Sequence, residues 1–355
     1  MKEAGEGAEP PQGKRVKDLD SLPWVEKYRP SSLSELISHE DIISTISRLI
    51  QANRLPHLLF YGPPGTGKTS TILACARELY GDNFASMTLE LNASDSRGID
   101  VVRDQVQVFA STRKLFSSGI KLIILDEADA LTNDAQFALR RVIEKYTKNT
   151  RFCMICNYVS KIIPALQSRC TRFRFAPLEE AQMGTRLTHV IEQEGLNVEA
   201  DGRSAILRLA CGDMRKVLNI LQSTSMAFPV VNEENVCLST GTATPVAVQG
   251  MLDALLNDDF KTAYGKIRQV QIDQGIALED LITELSQYVM LLDLPAKTHC
   301  LLLDRLSTAE YDLSFGASDQ LQLGNLVGMF VEAKEQLSQL PVDGEEKDAA
   351  TAMDE

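Results

Sequence analysis

One stretch narrows the possible folds more than any other in the chain: Gly62-Pro63-Pro64-Gly65-Thr66-Gly67-Lys68-Thr69. It fits G-x-x-x-x-G-K-[ST], the phosphate-binding loop. Leu58-Leu59-Phe60-Tyr61 before it is a short apolar run that reads as a buried strand. Ser70 to Tyr80 after it reads as a helix, with Ile72, Leu73, Ala76 and Leu79 on one face. Glycines let backbone N–H groups curl around phosphate oxygens. The helix N-terminus adds its partial positive charge. In such a loop Lys68 bridges the β- and γ-phosphates and Thr69 holds Mg²⁺ by its hydroxyl, with Ser70 beside it. A chance Gly/Pro-rich turn would have no reason to lie at a strand-to-helix junction.

A second motif supplies the matching acid. Lys121-Leu122-Ile123-Ile124-Leu125 is the apolar run of a strand buried on both faces, and Asp126-Glu127 comes directly after it. Carboxylates at the C-terminal end of such a strand face the ligand crevice. Asp126 is placed to hold Mg²⁺ through water, and Glu127 to polarise an attacking water. Asn157 ends the next strand and offers an amide beside the γ-phosphate, although Asn also ends strands for ordinary reasons. Arg169, in Ser168-Arg169-Cys170, and Arg215, in Gly212-Asp213-Met214-Arg215, are permanent planar cations suited to phosphate. Composition alone makes both surface arginines. Cys153-Met154-Ile155-Cys156 is a poor zinc or redox motif, because it lies inside an apolar strand with no second pair.

Strands are expected at 58–61, 87–92, 121–125, 151–156 and 172–175, separated by helices such as 38–52, 98–111 and 133–146. That order implies an α/β, doubly wound parallel sheet. Beyond Pro177 the pattern turns helical, at 178–194, 202–211, 213–227 and 246–340, with a linker at 239–245. Residues 1–20 and 341–355 have the composition of disordered tails. The segment Leu22 to Pro30 holds the single Trp and reads as a strap packed on the core; clamping a flat base is its other possible use.

At 355 residues two or three domains are expected. Seven scattered cysteines argue for a reducing compartment, and no apolar run is long enough for a membrane span. The net charge of −13 speaks against a surface coated for nucleic acid but does not exclude a local basic patch. Residues 97–151 nevertheless carry ten Lys and Arg against seven Asp and Glu, a net of +3. Arg97 and Arg103, and a second set at Arg140, Arg141 and Lys145, could meet a phosphate backbone; charged helix faces are more often merely solvated.

Taken together, Trp24-Val25-Glu26-Lys27-Tyr28-Arg29-Pro30, the phosphate loop, Asn92-Ala93-Ser94-Asp95, Asp126-Glu127-Ala128-Asp129, Asn157, Ser168-Arg169-Cys170 and Gly212-Asp213-Met214-Arg215 resemble the small subunits of replication factor C. These are sliding-clamp loaders of the AAA+ class. The resemblance covers residues 22 to about 340. It implies an AAA+ P-loop parallel-sheet domain over 21–177, a helical lid over 178–240 and an all-α collar over 241–340. It implies ATP and Mg²⁺ held by Val25, Arg29, Gly62, Pro63, Pro64, Gly65, Thr66, Gly67, Lys68, Thr69 and Ser70. Asn157 would act as sensor 1 and Arg215 as sensor 2, with Asp126 on the metal. Arg169 would reach in trans into a neighbour's ATP site, and Arg97 and Arg103 would track the DNA duplex. The implied partners are four related subunits in a heteropentamer, the clamp proliferating cell nuclear antigen (PCNA) and primer–template DNA in the nucleus, with no membrane. Relatives usually carry an acidic residue where Ser96 stands; its absence weakens any role for that carboxylate and leaves the Arg97 contact open.

Three rivals remain. Asp126-Glu127-Ala128-Asp129 is also the DEAD-box helicase string, which requires a strand-rich second half. An ATP-binding scaffold with no hydrolysis of its own and a branch-migration-type AAA+ motor are the others.

Overall fold

The near-continuous apolar runs at 58–61, 121–125 and 152–156 dictate a sheet whose central strands are covered by helices on both faces. The computed structural model describes residues 22–36, 38–52, 54–94, 102–112 and 119–338. Five strands, β1 (Leu58–Tyr61), β2 (Thr88–Asn92), β3 (Lys121–Asp126), β4 (Thr150–Cys156) and β5 (Thr171–Arg174), form one sheet in the order β2-β3-β4-β1-β5. Every pairing is parallel. Tyr61 pairs with Cys156 and Leu125 with Met154, so the ends of β1, β3 and β4 share one edge.

One face buries Leu59, Ile123, Leu125, Phe152 and Met154 under helix residues such as Leu139 and Ile143. The other buries Leu58, Phe60, Leu122, Ile124 and Ile155 against Ile72, Leu73 and Ala76. Cys153 belongs to the second face and Cys156 to the first. A strand turns successive side chains to opposite faces, so this C-x-x-C cannot close on one ion.

The helices of this part include α1 (Trp24–Lys27), α2 (Glu40–Gln51), α3 (Lys68–Tyr80), α4 (Gln107–Ser111), α5 (Asn133–Tyr146), α6 (Glu180–Glu194), α7 (Ala200–Ala210) and α8 (Met214–Ala227), with further single turns at Phe84–Met87 and Pro164–Gln167. Met87 closes a helical turn rather than opening β2. Of the helix expected over 98–111, the described part is a π-helical turn, Val102–Val106, running into α4. The tails at 1–20 and 341–355 lie outside the described residues.

The described residues fall into two compact units, divided between Val231 and Asn232, whereas the resemblance implies a lid ending at 240. The second unit holds α9 (Glu233–Thr240), α10 (Pro245–Asn257), α11 (Phe260–Gln274), α12 (Leu278–Val289), α13 (Ala296–Ser314) and α14 (Asp319–Ser338). Its own core includes Leu255, Ile267, Leu281, Leu285, Leu306, Leu326 and Phe330. The expected linker at 239–245 is a tight turn: Gly241 ends α9 with φ 70° and Thr244 caps α10. After Pro177 no strand occurs among the described residues, only the isolated bridge Val198–Val231. The helical second half rules out the strand-rich second domain that a DEAD-box helicase requires. No helix among the described residues is long and apolar enough to cross a membrane.

At the opposite sheet edge, His57 is buried and its Nδ1 accepts the Phe152 N–H at 3.2 Å. Burial pushes its imidazole down from 6.5 to about 4, and Arg151 adds to the effect. The folded state then binds fewer protons than the unfolded one between those values, so stability rises with pH across that window and is lost as pH falls through it. His57→Asn keeps an acceptor for Phe152 and removes the titration. Its melting temperature should fall less than the parent's between pH 7 and pH 5, measured by calorimetry; equal falls would contradict the assignment.

Candidate nucleotide site

β1 is fully buried up to Phe60, and the chain must turn at once into α3. Gly67 makes that turn with φ 90°, in the left-handed region that side chains disfavour. Lys68 opens α3 and is buried. Its Nζ donates to Gly62 O and Pro63 O, each at 2.7 Å, and to Asn157 Oδ1 at 3.1 Å. Burial holds this ammonium below its ordinary value; Asp126 opposes the shift and Arg215 adds to it. A buried cation is tolerable here because three oxygens satisfy its three protons.

Across the edge, Thr69 Oγ1 donates to Asp126 Oδ2 at 2.7 Å. The other oxygen of Asp126 accepts the Glu127 N–H at 2.9 Å. Glu127 has φ 52° and ψ 39°, a left-handed conformation that costs a non-glycine residue about 1 kcal/mol or more. The bend points the chain away from β3 directly after Asp126. Asp129 Oδ2 accepts the N–H groups of Asn157 at 3.3 Å and Tyr158 at 3.2 Å. It thereby seats Asn157 beside Lys68, a positioning role that the sequence alone does not assign. The fourth letter of Asp-Glu-Ala-Asp is the available signal.

The start of α8 reaches this loop directly. Asp213 caps α8 by accepting from Arg215 N–H at 2.8 Å and Lys216 N–H at 3.3 Å. Met214 N–H donates to Gly65 O at 3.2 Å. A Cβ on Gly65 would lie 1.6 Å from Asp213 Oδ1, so only glycine lets the loop pass beneath the cap.

One cleft is lined by Val25 and Arg29, Pro64 to Ser70, Asp126, Glu127, Asn157 and Arg215. Gly62 and Pro63 do not line it; they act through the carbonyls that receive Lys68. The lining also takes Tyr28, which lies between the expected Val25 and Arg29, and Met183, Arg186 and Leu218 of α6 and α8, which escape sequence reading because those helix side chains carry no local motif. A hydroxyl and two carboxylates at the loop's end form a hard oxygen donor set of the kind Mg²⁺ takes. Trp24 is buried, so the strap reading of 22–30 holds, while Val25 and Arg29 of the same segment face the cleft.

Arg169 stands apart from the cleft. Its guanidinium bonds Ala165 O at 2.7 Å and pairs with Glu144 at 2.6 Å, about one-third exposed at 32%. Arg140 pairs with the same carboxylate at 3.1 Å, and the two arginines hold it below the usual carboxylate range, Arg140 first. Arg97 and Ser96 lie outside the described residues, as does the side chain of Arg103.

The family model for the AAA ATPases (ATPase family associated with various cellular activities) matches residues 58–178, and that for the replication factor C C-terminal domain matches 243–329. The chain is 57% identical over 311 residues to replication factor C subunit 5 of Mus musculus, covering 87% of this chain and 92% of that protein. It is 51% identical over 320 residues to replication factor C subunit 3 of Schizosaccharomyces pombe, covering 88% and 94%. A solved Thermotoga maritima RuvB variant, 14% identical with a TM-score of 0.50, covers 73% of this chain and 91% of its own; this is a likeness of fold.

Asp213→Ala should cost about 1 kcal/mol, the usual weight of a lost N-cap, and Asp213→Asn much less. Chemical denaturation checks this; equal losses for both variants would contradict the capping role.

Proposed function

The chain belongs to the replication factor C small-subunit family, and on that premise we propose that its cleft grips ATP and Mg²⁺ and that Arg169 completes the ATP site of a neighbouring subunit. It is an AAA ATPase and a subunit of a multi-subunit clamp loader that acts in DNA replication. The observation that carries the site reading is the 2.7 Å bond from Thr69 to Asp126, beside Lys68 and Asn157. It joins the phosphate loop to the acidic strand end, as hydrolysis of a triphosphate requires.

Within that reading each residue has a task. The amides of 64–69 and the Lys68 ammonium take the phosphate oxygens. Thr69 and Asp126 would hold Mg²⁺, which when bound neutralises phosphate charge. Glu127, bent out of the strand, accepts a proton from the attacking water, and Asn157 orients that water. Arg215 projects from the lid into the same cleft and meets the outer phosphates. Val25 and Arg29 flank the base. Arg169 lies outside its own cleft on a partly exposed surface, which supports a role in trans. A guanidinium supplied across a subunit boundary stabilises the charge of the transferring phosphoryl group.

The finer partners are those of the family. We take the neighbours to be four related subunits in a heteropentamer in the nucleus, the clamp to be PCNA, and the DNA to be a primer–template duplex met through its backbone by Arg97 and Arg103. Helices over 178–240 serve as the lid and those over 241–340 as the collar.

In a reconstituted complex, Arg169→Ala should abolish hydrolysis at the adjacent site and leave ATP binding by this chain intact. Glu127→Gln should do the reverse, lowering this chain's own hydrolysis by at least about 100-fold, the low end for a lost general base. Site-resolved single-turnover assays separate these. Loss of nucleotide binding on Arg169→Ala would defeat the in-trans reading, and full hydrolysis by Glu127→Gln would favour a scaffold subunit. Arg97→Ala with Arg103→Ala should flatten the salt dependence of DNA-stimulated hydrolysis; an unchanged slope would remove them from the DNA contact.

A further inference from the structure

Segment 24–28 is fastened to the lid by a chain of polar bonds. The Trp24 N–H donates to Gln222 Oε1 on α8 at 3.1 Å. Lys27 Nζ pairs with Glu194 Oε1 at 2.8 Å, and the Tyr28 hydroxyl donates to the same oxygen. Arg186 Nη2 donates to the Tyr28 carbonyl at 2.8 Å. Glu194 and Arg186 are both on α6. These contacts join residues 158 to 198 positions apart in sequence.

Burial and the Glu194 carboxylate push the Tyr28 phenol up to about 12, so it remains a donor. Burial pulls Glu194 upward, but the bonds from Lys27 and Tyr28 outweigh it and hold the carboxyl below its ordinary value. Glu194 therefore stays ionised and the Tyr28 hydroxyl stays protonated and bonded to it over the physiological range. Just past this segment, Arg77 of α3 donates to Ser31 O at 3.3 Å, which begins the tie to the sheet.

The same two pieces wall one end of the cleft. Val25, Tyr28 and Arg29 come from the segment; Met183, Arg186 and Leu218 come from the lid. This end combines apolar side chains with Arg29, Arg186 and the Glu26 carboxylate, whereas the loop end presents amides, Lys68, Asp126 and Glu127. Glu194 itself does not line the cleft. Its effect on a ligand can only be exerted through Lys27 and Tyr28.

We propose that Glu194 is a positioning residue: with Tyr28 and Arg186 it latches segment 24–30 to α6, so that segment and lid close on the nucleotide base as one preformed wall. The inference rests on the cleft being the nucleotide site. A preformed wall spares the ligand the ordering of a loose segment, so the latch contributes to affinity for the base. The triphosphate meets the other end and gains nothing from it.

Titration calorimetry of the full chain with Mg²⁺, using ATP and inorganic tripolyphosphate as separate probes, tests this. Glu194→Ala should weaken ATP about tenfold, the weight of one lost charge-assisted hydrogen bond, and leave tripolyphosphate within about twofold. Glu194→Gln, which still accepts from Tyr28, should recover part of the loss, and Tyr28→Phe should resemble Glu194→Ala. These two milder variants carry the test if Glu194→Ala does not fold. Equal weakening of both probes, or no weakening of ATP, overturns the latch. Failure of the parent chain to bind either probe overturns the nucleotide site itself.

Discussion

A single hydroxyl-to-carboxylate bond, Thr69 to Asp126, ties together the two halves of the site. Thr69 comes after β1 and Asp126 ends β3, yet these strands are not neighbours. β4 lies between them and contributes Asn157 at the same edge. Parallel strands are about 4.8 Å apart, so β1 and β3 are about 10 Å apart, roughly the reach of a phosphate chain with its ion. The strand order, rather than any one residue, creates the gap that the loop and the acid close over. Insertion of β4 is secured by apolar residues on both faces, from Phe152 and Met154 to Cys153 and Ile155.

The site is costly to build, and the cost is borne by the surrounding sheet. Lys68 is buried with its charge, and Glu127 occupies a left-handed conformation without being glycine. Both are tolerated because neighbours over-determine them. Three oxygens hold Lys68, and Asp126 and Asp129 fasten the backbone on either side of Glu127 and Asn157. Such strain persists at functional sites where rigid elements enforce it. The start of α8 adds a further constraint at Gly65, where the loop passes under the Asp213 cap.

Much of this is legible in the residues. The phosphate loop, the apolar run of β3 and the acids after it are local patterns, and local patterns survive in one dimension. The five strands and α5 emerge from periodicity, and Cys153 and Cys156 read correctly as core rather than metal ligands, since the strand sends them to opposite faces. What escapes depends on contacts made at long range. Tyr28 meets Glu194, and Arg186 meets the Tyr28 carbonyl; Tyr28 lies in a motif, but neither of its distant partners does. Asp129 reads in sequence as the tail of a motif, yet its work is to hold the amides of Asn157 and Tyr158. The segment at 22–30 reads as either strap or base clamp; a buried Trp24 beside cleft-lining Val25 and Arg29 allows it to be both.

On the proposed reading, Thr69 and Asp126 act together on a divalent ion in the presence of a triphosphate. Electron paramagnetic resonance of Mn²⁺ in place of Mg²⁺, titrated into the full chain with and without ATP, measures this directly. Thr69→Ser keeps the hydroxyl and should retain ATP-dependent Mn²⁺ binding. Thr69→Ala should weaken it by about tenfold or more, on the scale of one lost oxygen ligand or strong hydrogen bond. ATP-dependent Mn²⁺ binding by Thr69→Ala as tight as the parent's would contradict that claim.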